Sequence, residues 1–394
     1  MNKHLLRSLP ALLALAFAGS ASAAAFQLLE QNASGLGTAY AGSAAVADNA
    51  STIFYNPAGL TLLPGTQISV GVVGVQPSYT FHDQGTTGLG AGVGNGGDAG
   101  GLHAVPNAYV SQRLTDHLAI GLGISAPFGL ATEYSTGWLG AAQGIKSEIR
   151  TVNYNPSLAY QVSERVALGF GLNYQTIDGE LTRTGVSLKG DDASLGWNAG
   201  LLFTLSPAMR LGLSYRSAVS HTLEGTINGV VPVRTDVKLP DTLTWSVWQQ
   251  LSERWEAMGD LSYTRWGTLQ QLEVFNRTTG AALPGESFNY SNSWRLAWGA
   301  AYKASERLKI KFGIAYDRTP VKDSDRSVRV PDNDRLWLSF GGQWNSGGYG
   351  VVDLGYAYLY VKDPSISQSR NGVNLLGAYD ASAHLLGMQY SLGF

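Results

Sequence analysis

Apolar residues recur at every second position along many stretches of this chain, over lengths unusual for a soluble sheet. Leu308, Ile310, Phe312, Ile314 and Tyr316 alternate with Lys309, Lys311, Gly313 and Ala315. Trp294, Leu296, Trp298, Ala300 and Tyr302 behave alike, as do Val352–Tyr360 and Leu386–Phe394, each run being 9 residues long. Period two marks a strand with one apolar face. The mean strand of a globular protein is ~5–6 residues, whereas a tilted strand needs ~9–11 to cross a bilayer. In lipid every backbone polar group must be paired within the protein, so strands that cross must close into a barrel. Aromatic residues fall near the ends of the runs, where an interfacial girdle sits.

Composition narrows the alternatives. Charged residues make up 14% of the chain and glycine 49 of 394 residues, against ~25% and ~7% in ordinary domains. A net charge of −2 leaves no basic footprint, so no nucleic-acid partner is expected. The chain has no cysteine, which excludes a disulfide scaffold, a thiolate metal site and a cysteine nucleophile. Residues 1–23 read as a secretory signal: Lys3 and Arg7, the apolar run Leu9–Ala18, then Ala21-Ser22-Ala23 as an A-x-A cleavage site. The apolar run is too short to span a bilayer as a helix, and no later stretch has the length. An exported chain with membrane-crossing strands belongs in the outer membrane of a Gram-negative bacterium, crossing it many times.

Turn signals count the strands. Short turns recur at Thr115-Asp116-His117, Ser163-Glu164-Arg165, Ser206-Pro207-Ala208, Ser252-Glu253-Arg254, Ser305-Glu306-Arg307 and Ser346-Gly347-Gly348, spaced 41–53 residues apart. Longer polar segments, such as Gly85–Gly101 and Lys322–Asn333, lie between them. Short turns alternating with long loops are the outer-membrane barrel pattern, with the short turns on the periplasmic side. Six short turns separate seven hairpins, which predicts fourteen antiparallel strands over residues 64–394. Phe394, last in its alternating row, resembles the terminal aromatic read by the outer-membrane assembly machinery.

Residues 24–63 lack alternation. They carry many small residues and the turn-forming Asn56-Pro57, and proline cannot join a central ladder. Some forty residues ahead of the first strand suffice for a compact plug in the lumen.

Phe26-Gln27-Leu28-Leu29-Glu30-Gln31, Ser34–Gly42 and Asn56-Pro57-Ala58-Gly59 together resemble the N-terminal hatch of the FadL family of outer-membrane transporters, which carry long-chain fatty acids and other hydrophobic compounds. Phe128–Tyr134, Gly196–Gly200 and Pro331–Trp337 also match the family pattern, so the resemblance runs from Ala24 to Phe394. It implies an all-β, fourteen-stranded transmembrane barrel with the hatch plugging its lumen, in agreement with the turn count. It further implies capture outside, binding in an apolar lumen pocket, and lateral release at a kink in the third strand once the hatch rearranges. Carried over residue by residue, it makes Asn56, Pro57 and Ala58 the gate motif, and Phe26 and Arg183 ligand-binding residues. Phe128 and Gly129 mark the kink, and Gly200 is a small residue facing it. Taken locally, Gly129 is as readily a bulge or loop glycine, and Arg183 a solvated arginine.

One departure concerns the ligand. Where fatty-acid members carry a second cation, Pro284–Phe288 here has none, and Glu286 would repel a carboxylate. Neutral aromatic hydrocarbons or alkanes are therefore alternative substrates. A polar porin, a lipid-acting barrel enzyme and a structural or adhesive barrel are the remaining readings. Gly92–Gly97 fits G-x-G-x-x-G but lies in a glycine-rich loop, not between a strand and a helix. Ser382 and His384 are merely near neighbours on one strand face, and Asp323/Asp325 and Asp332/Asp334 read as solvated loop acids rather than a Ca²⁺ site. No catalytic residues, metal site or cofactor are expected. The expected partners are a hydrophobic small-molecule ligand, outer-membrane lipid and the assembly machinery, with the protein as a monomer.

Overall fold

A computed structural model describes residues 25–394; the signal segment 1–23 lies outside the described residues. Every one of the six expected short turns joins two antiparallel strands. The strands are, in order, Thr66–Asp83, His103–Arg113, Leu118–Ser125 with Gly129–Glu133, Lys146–Ser163, Val166–Arg183, Val186–Ser206, and Met209–Arg216 with Val219–Ile227. There follow Val231–Leu239 with Thr242–Gln250, Trp255–Thr264 with Gln271–Asn276, Ala282–Ser287 with Ser293–Lys303, Leu308–Asp317, Arg335–Asn345, Val351–Val361 with Ser365–Arg370, and Val373–Gly393. Six of these fourteen are written as two segments because their hydrogen bonding is interrupted. The last strand pairs with the first, from Gln67↔Gly393 to Asp83↔Gly377, and this closes the barrel.

Alternation sorts the side chains as the sequence requires. Leu296, Trp298 and Leu386 stand out from the wall, whereas Ala297 and Ala301 are buried in the lumen. Aromatic pairs mark both ends of the apolar skin. Trp255 and Tyr302 lie beside a short turn with ring centroids 4.8 Å apart, and Trp294 and Tyr316 lie toward the other end at 5.4 Å.

The outer connections differ from the expected alternation. Among the described residues only three of seven are long, residues 84–102, 134–145 and 318–334. The others are tight, and two rest on Asn-Gly pairs: Asn228 and Gly229 have φ 53° and 69°, and Asn371 and Gly372 have 52° and 77°. Both residues at positive φ is the turn geometry that matches strand twist in a two-residue hairpin, which the Asn371-Gly372 connection is; the loop at Asn228-Gly229 has one residue more. These turns cap strands of up to 21 residues that rise beyond what a bilayer requires.

Residues 25–63 lie in the lumen as a hatch of short helical turns, Leu36–Thr38, Thr52–Tyr55 and Pro57–Leu62. Leu36 and Tyr40 pack with Trp337, Ala357 and Leu385 of the wall. Polar ties fix the hatch further: Lys311 donates to Ser34 O at 2.8 Å while paired with Asp353, Arg295 donates to Ala39 O at 2.7 Å, and Ser43 donates to Asp260 at 2.6 Å. The glycine excess is in part the imprint of this contact. A Cβ on Gly313 would fall 2.1 Å from the carbonyl carbon of Thr38, so only glycine lets the wall meet hatch backbone there.

Candidate functional site: a break in the wall, an apolar pocket and a charged mouth

The third strand stops at Ser125 and resumes at Gly129. Its first segment pairs with the second strand only as far as Ala108↔Ile124. Its resumed segment, Gly129–Glu133, pairs with the fourth strand alone among the described residues. Residues His103–Asn107 of the second strand likewise pair only with the first. The wall therefore has a gap in its ladder, bounded at the outer end by the bond from Glu133 N to Ala99 O at 2.9 Å. Pro106 and Pro127 lie on the two sides of the gap and have no N–H to leave unpaired there.

The start of the hatch stands in for the missing neighbour. Leu28 N donates to Pro127 O at 2.8 Å, and Gly129 N to Phe26 O at 2.9 Å. The Gln31 amide accepts from Ala126 N at 2.9 Å and donates to Ala126 O at 2.8 Å. The Thr151 hydroxyl accepts from Phe128 N at 2.9 Å and donates to Phe128 O at 2.7 Å. The buried backbone of the break is thus satisfied, four of these six bonds coming from the hatch.

Phe26, Phe128 and Trp266 meet above this contact. Phe26 lies 4.8 Å from Trp266 between ring centroids, and Phe128 lies 6.2 Å from each. Phe26 also lines an apolar pocket with Leu130, Ile149, Ile177, Leu223 and Val237, enclosing about 70 Å³. Arg329 lines both that pocket and an outer cavity of about 220 Å³ with Arg183, Glu286 and Arg370. The Arg329 Nε donates to Glu286 Oε1 at 3.0 Å, and Arg370 pairs with Oε2. Arg183 makes no ion pair among the described residues.

The sequence placed Glu286 as a charge that repels a carboxylate; the structure revises this. Two guanidinium groups share its charge, and with Arg183 the mouth holds three cations against one anion. Arg329 and Arg370 escaped the sequence reading because they come from loop 318–334 and the end of the thirteenth strand, far from residue 286. The neighbouring acids are engaged structurally: Asp332 holds Arg335, and Asp334 accepts from Tyr316 and from Thr319 N.

Asn56, Pro57 and Ala58 sit away from the break. Asn56 caps the turn Pro57–Leu62 by accepting from Ala58 N at 3.0 Å, and its Nδ2 donates to Ala44 O at 2.7 Å and Leu201 O at 3.1 Å. Pro57, at the first helical position, gives up no hydrogen bond there. Gly200 faces this motif rather than Phe128 or Gly129: a Cβ on it would lie 1.8 Å from Asn56 Oδ1. Its smallness serves the anchoring of the hatch to the sixth strand.

Comparison with known proteins gives the family of the chain and matches its fold. Residues 14–394 match the family described as outer membrane protein transport protein (OMPP1/FadL/TodX). Outer membrane protein P1 of Haemophilus influenzae is 32% identical, over 98% of this chain and 99% of that protein. The long-chain fatty acid transport protein of Escherichia coli K12 is 27% identical, over 88% of this chain and 90% of its own. In fold, a FadL homologue of Pseudomonas aeruginosa superposes with a TM-score of 0.88 at 20% identity, over 94% of this chain and all of that one. The Pseudomonas putida toluene transporter TodX does so at 0.69 and 18%, over 94% of this chain and 100% of its own. With a matching family model over nearly its whole length and a fourteen-stranded barrel closed around a hatch, the chain belongs to the OMPP1/FadL/TodX family of outer-membrane proteins that transport hydrophobic compounds.

Proposed function

We propose that this protein takes up long-chain fatty acids or similar amphiphiles across the outer membrane, and releases them sideways through the gap at Ala126–Phe128 after the hatch shifts. The observation that carries this reading is the continuity from the arginine-rimmed mouth, through Arg329, into the apolar pocket that Phe26 shares with the break. A 16-carbon chain buries some fifteen carbons, worth at most about 12 kcal/mol at ~0.8 per CH₂. Release into water forfeits that energy; release into lipid retains it. An exit in the wall therefore suits such a cargo better than one through the periplasmic end. The hydrogen bonds of Phe26, Leu28 and Gln31 to the break support a hatch whose movement frees it. Asn56, Pro57 and Ala58 are assigned the anchoring half of that gate.

A second reading, uptake of neutral aromatic hydrocarbons, draws on the edge-on trio Phe26, Phe128 and Trp266 beside a pocket of only about 70 Å³. Such rings offer aromatic ligands edge-to-face contacts. Proteoliposome uptake of dodecanoate, dodecanol and toluene by the purified barrel discriminates between the readings. Accumulation of dodecanoate with retention of toluene outside supports the first; the reverse supports the second. If none accumulates, or if deleting Asn56–Ala58 changes uptake of none of them, the gated-transport reading fails.

A further inference from the structure

Within the transport reading just given, we infer that Glu286 is a built-in counter-ion: its carboxylate occupies the clamp that a ligand carboxylate takes over, and this exchange gives the mouth its preference for acids with a single carboxylate and an apolar tail. Glu286 uses one oxygen for Arg329 and the other for Arg370, the way an incoming carboxylate would. Charge-assisted bonds from arginine to carboxylate are directional and strong, so a clamp built for one carboxylate suits another.

Arg329 does not depend on Glu286 alone to stay in place. The Arg329 Nη1 also donates to Lys146 O at 3.1 Å, to Ser147 Oγ at 3.0 Å and to Thr182 O at 3.2 Å, three acceptors on the fourth and fifth strands. Arg329 is almost fully buried, so vacating its carboxylate partner would leave an uncompensated charge unless a new anion arrives. Glu286, by contrast, rides on Ala282–Ser287, which pairs with the ninth strand alone and through a register shift between Leu272 and Val274. Its other edge carries no ladder among the described residues. The anion is thus on a segment with one open edge, while the Arg329 guanidinium is also held from the fourth and fifth strands. Arg183, lining the same cavity without an ion pair, is a further cation for the incoming head group. A neutral ligand has nothing to offer the clamp and must leave the Glu286 bonds intact.

The test measures binding of dodecanoate and of dodecanol to the full barrel in detergent by calorimetry, for wild type and Glu286→Gln. Gln keeps the shape and removes the competing charge. The expected result is an approximately tenfold tighter Kd for dodecanoate and a change within about twofold for dodecanol. Glu286→Asp, which keeps the charge on a shorter arm, should gain about threefold for dodecanoate and guards against a folding defect in the Gln variant. Adding Arg370→Gln to Glu286→Gln should erase the gain. Unchanged or weaker dodecanoate binding by both single variants overturns the counter-ion role, as does an equal gain for both ligands. Failure of wild type to bind either ligand would instead overturn the uptake reading itself, and this inference with it.

Discussion

Gln31 holds both main-chain groups of Ala126, accepting from its N–H at 2.9 Å and donating to its C=O at 2.8 Å. A side-chain amide has one acceptor and two donor hydrogens, so one glutamine replaces what a neighbouring strand would supply at this residue. Gln31→Ala leaves two buried groups unpaired, at ~1–3 kcal/mol each. The expected outcome is faster amide exchange at residues 126–129 and ligand release about tenfold quicker or more, with the barrel intact. Hydrogen–deuterium exchange and stopped-flow release check this. Unaltered exchange at the break would mean that the amide does not hold it.

Gly200 makes a separate prediction for the anchored part of the hatch. Gly200→Val puts side-chain atoms where Asn56 Oδ1 now lies, 1.8 Å from an ideal Cβ. The wall cannot give way there, because residue 200 is paired on both sides, with Gly169 and Ser214. The hatch must therefore move, at ~1–3 kcal/mol for an overpacked contact. Limited proteolysis of the variant should cut between residues 40 and 63 at protease levels that leave wild type whole, while the barrel keeps its heat-modifiable mobility on gels. Wild-type resistance would show that the contact yields cheaply.

Arg183 sorts ligands by charge. If it meets the head group, Arg183→Ala should weaken dodecanoate binding about tenfold and leave dodecanol within about twofold, since a partly exposed charge contact contributes modestly. Equal losses for both ligands in the same titration would reduce Arg183 to a packing residue of the cavity wall.

The barrel was legible because its signal is local and repeated. Period-two runs such as Leu308–Tyr316 and turns such as Ser305-Glu306-Arg307 each report their own hairpin, so strand number follows by counting. The tight outer turns at Asn228-Gly229 and Asn371-Gly372 were equally local, and the alternating-loop pattern overrode them. Pro106 and Pro127 also marked, in the sequence, two places where a ladder could not continue. The charged mouth was not legible in this way. Glu286, Arg329 and Arg370 meet only because a closed cylinder brings the tenth strand, loop 318–334 and the thirteenth strand to one rim. Residue spacing carries no trace of that, and Glu286 taken alone gave no hint of the two arginines paired with it. Gly200 failed for a related reason: smallness shows that something approaches, not what does.

Glu30 couples the hatch to pH. It sits on the hatch, fully buried, and its two carboxyl oxygens meet no hydrogen-bond donor among the described residues. Burial pushes its pKa up to about 7, against a partial pull downward from the backbone N–H dipoles of Glu30 and Leu29 and from Arg335 and Arg295; the phenols of Tyr40 and Tyr55 also face it. Displacement of the hatch into water would return the carboxyl to an ordinary value near 4.5. The seated hatch therefore binds the proton more tightly than the displaced one. Seating is favoured in full below pH ~4.5 and weakens as pH rises through about 7, by roughly 3 kcal/mol in all at ~1.4 per pH unit. Amide protection factors over residues 25–31, corrected for the intrinsic exchange rate, should fall between pH 5 and pH 8 in wild type. Glu30→Gln removes the titrating group, so its protection should stay level over that range and exceed wild type at pH 8. A wild-type profile that is flat, or that persists in Glu30→Gln, would mean that the pH dependence of the hatch arises elsewhere.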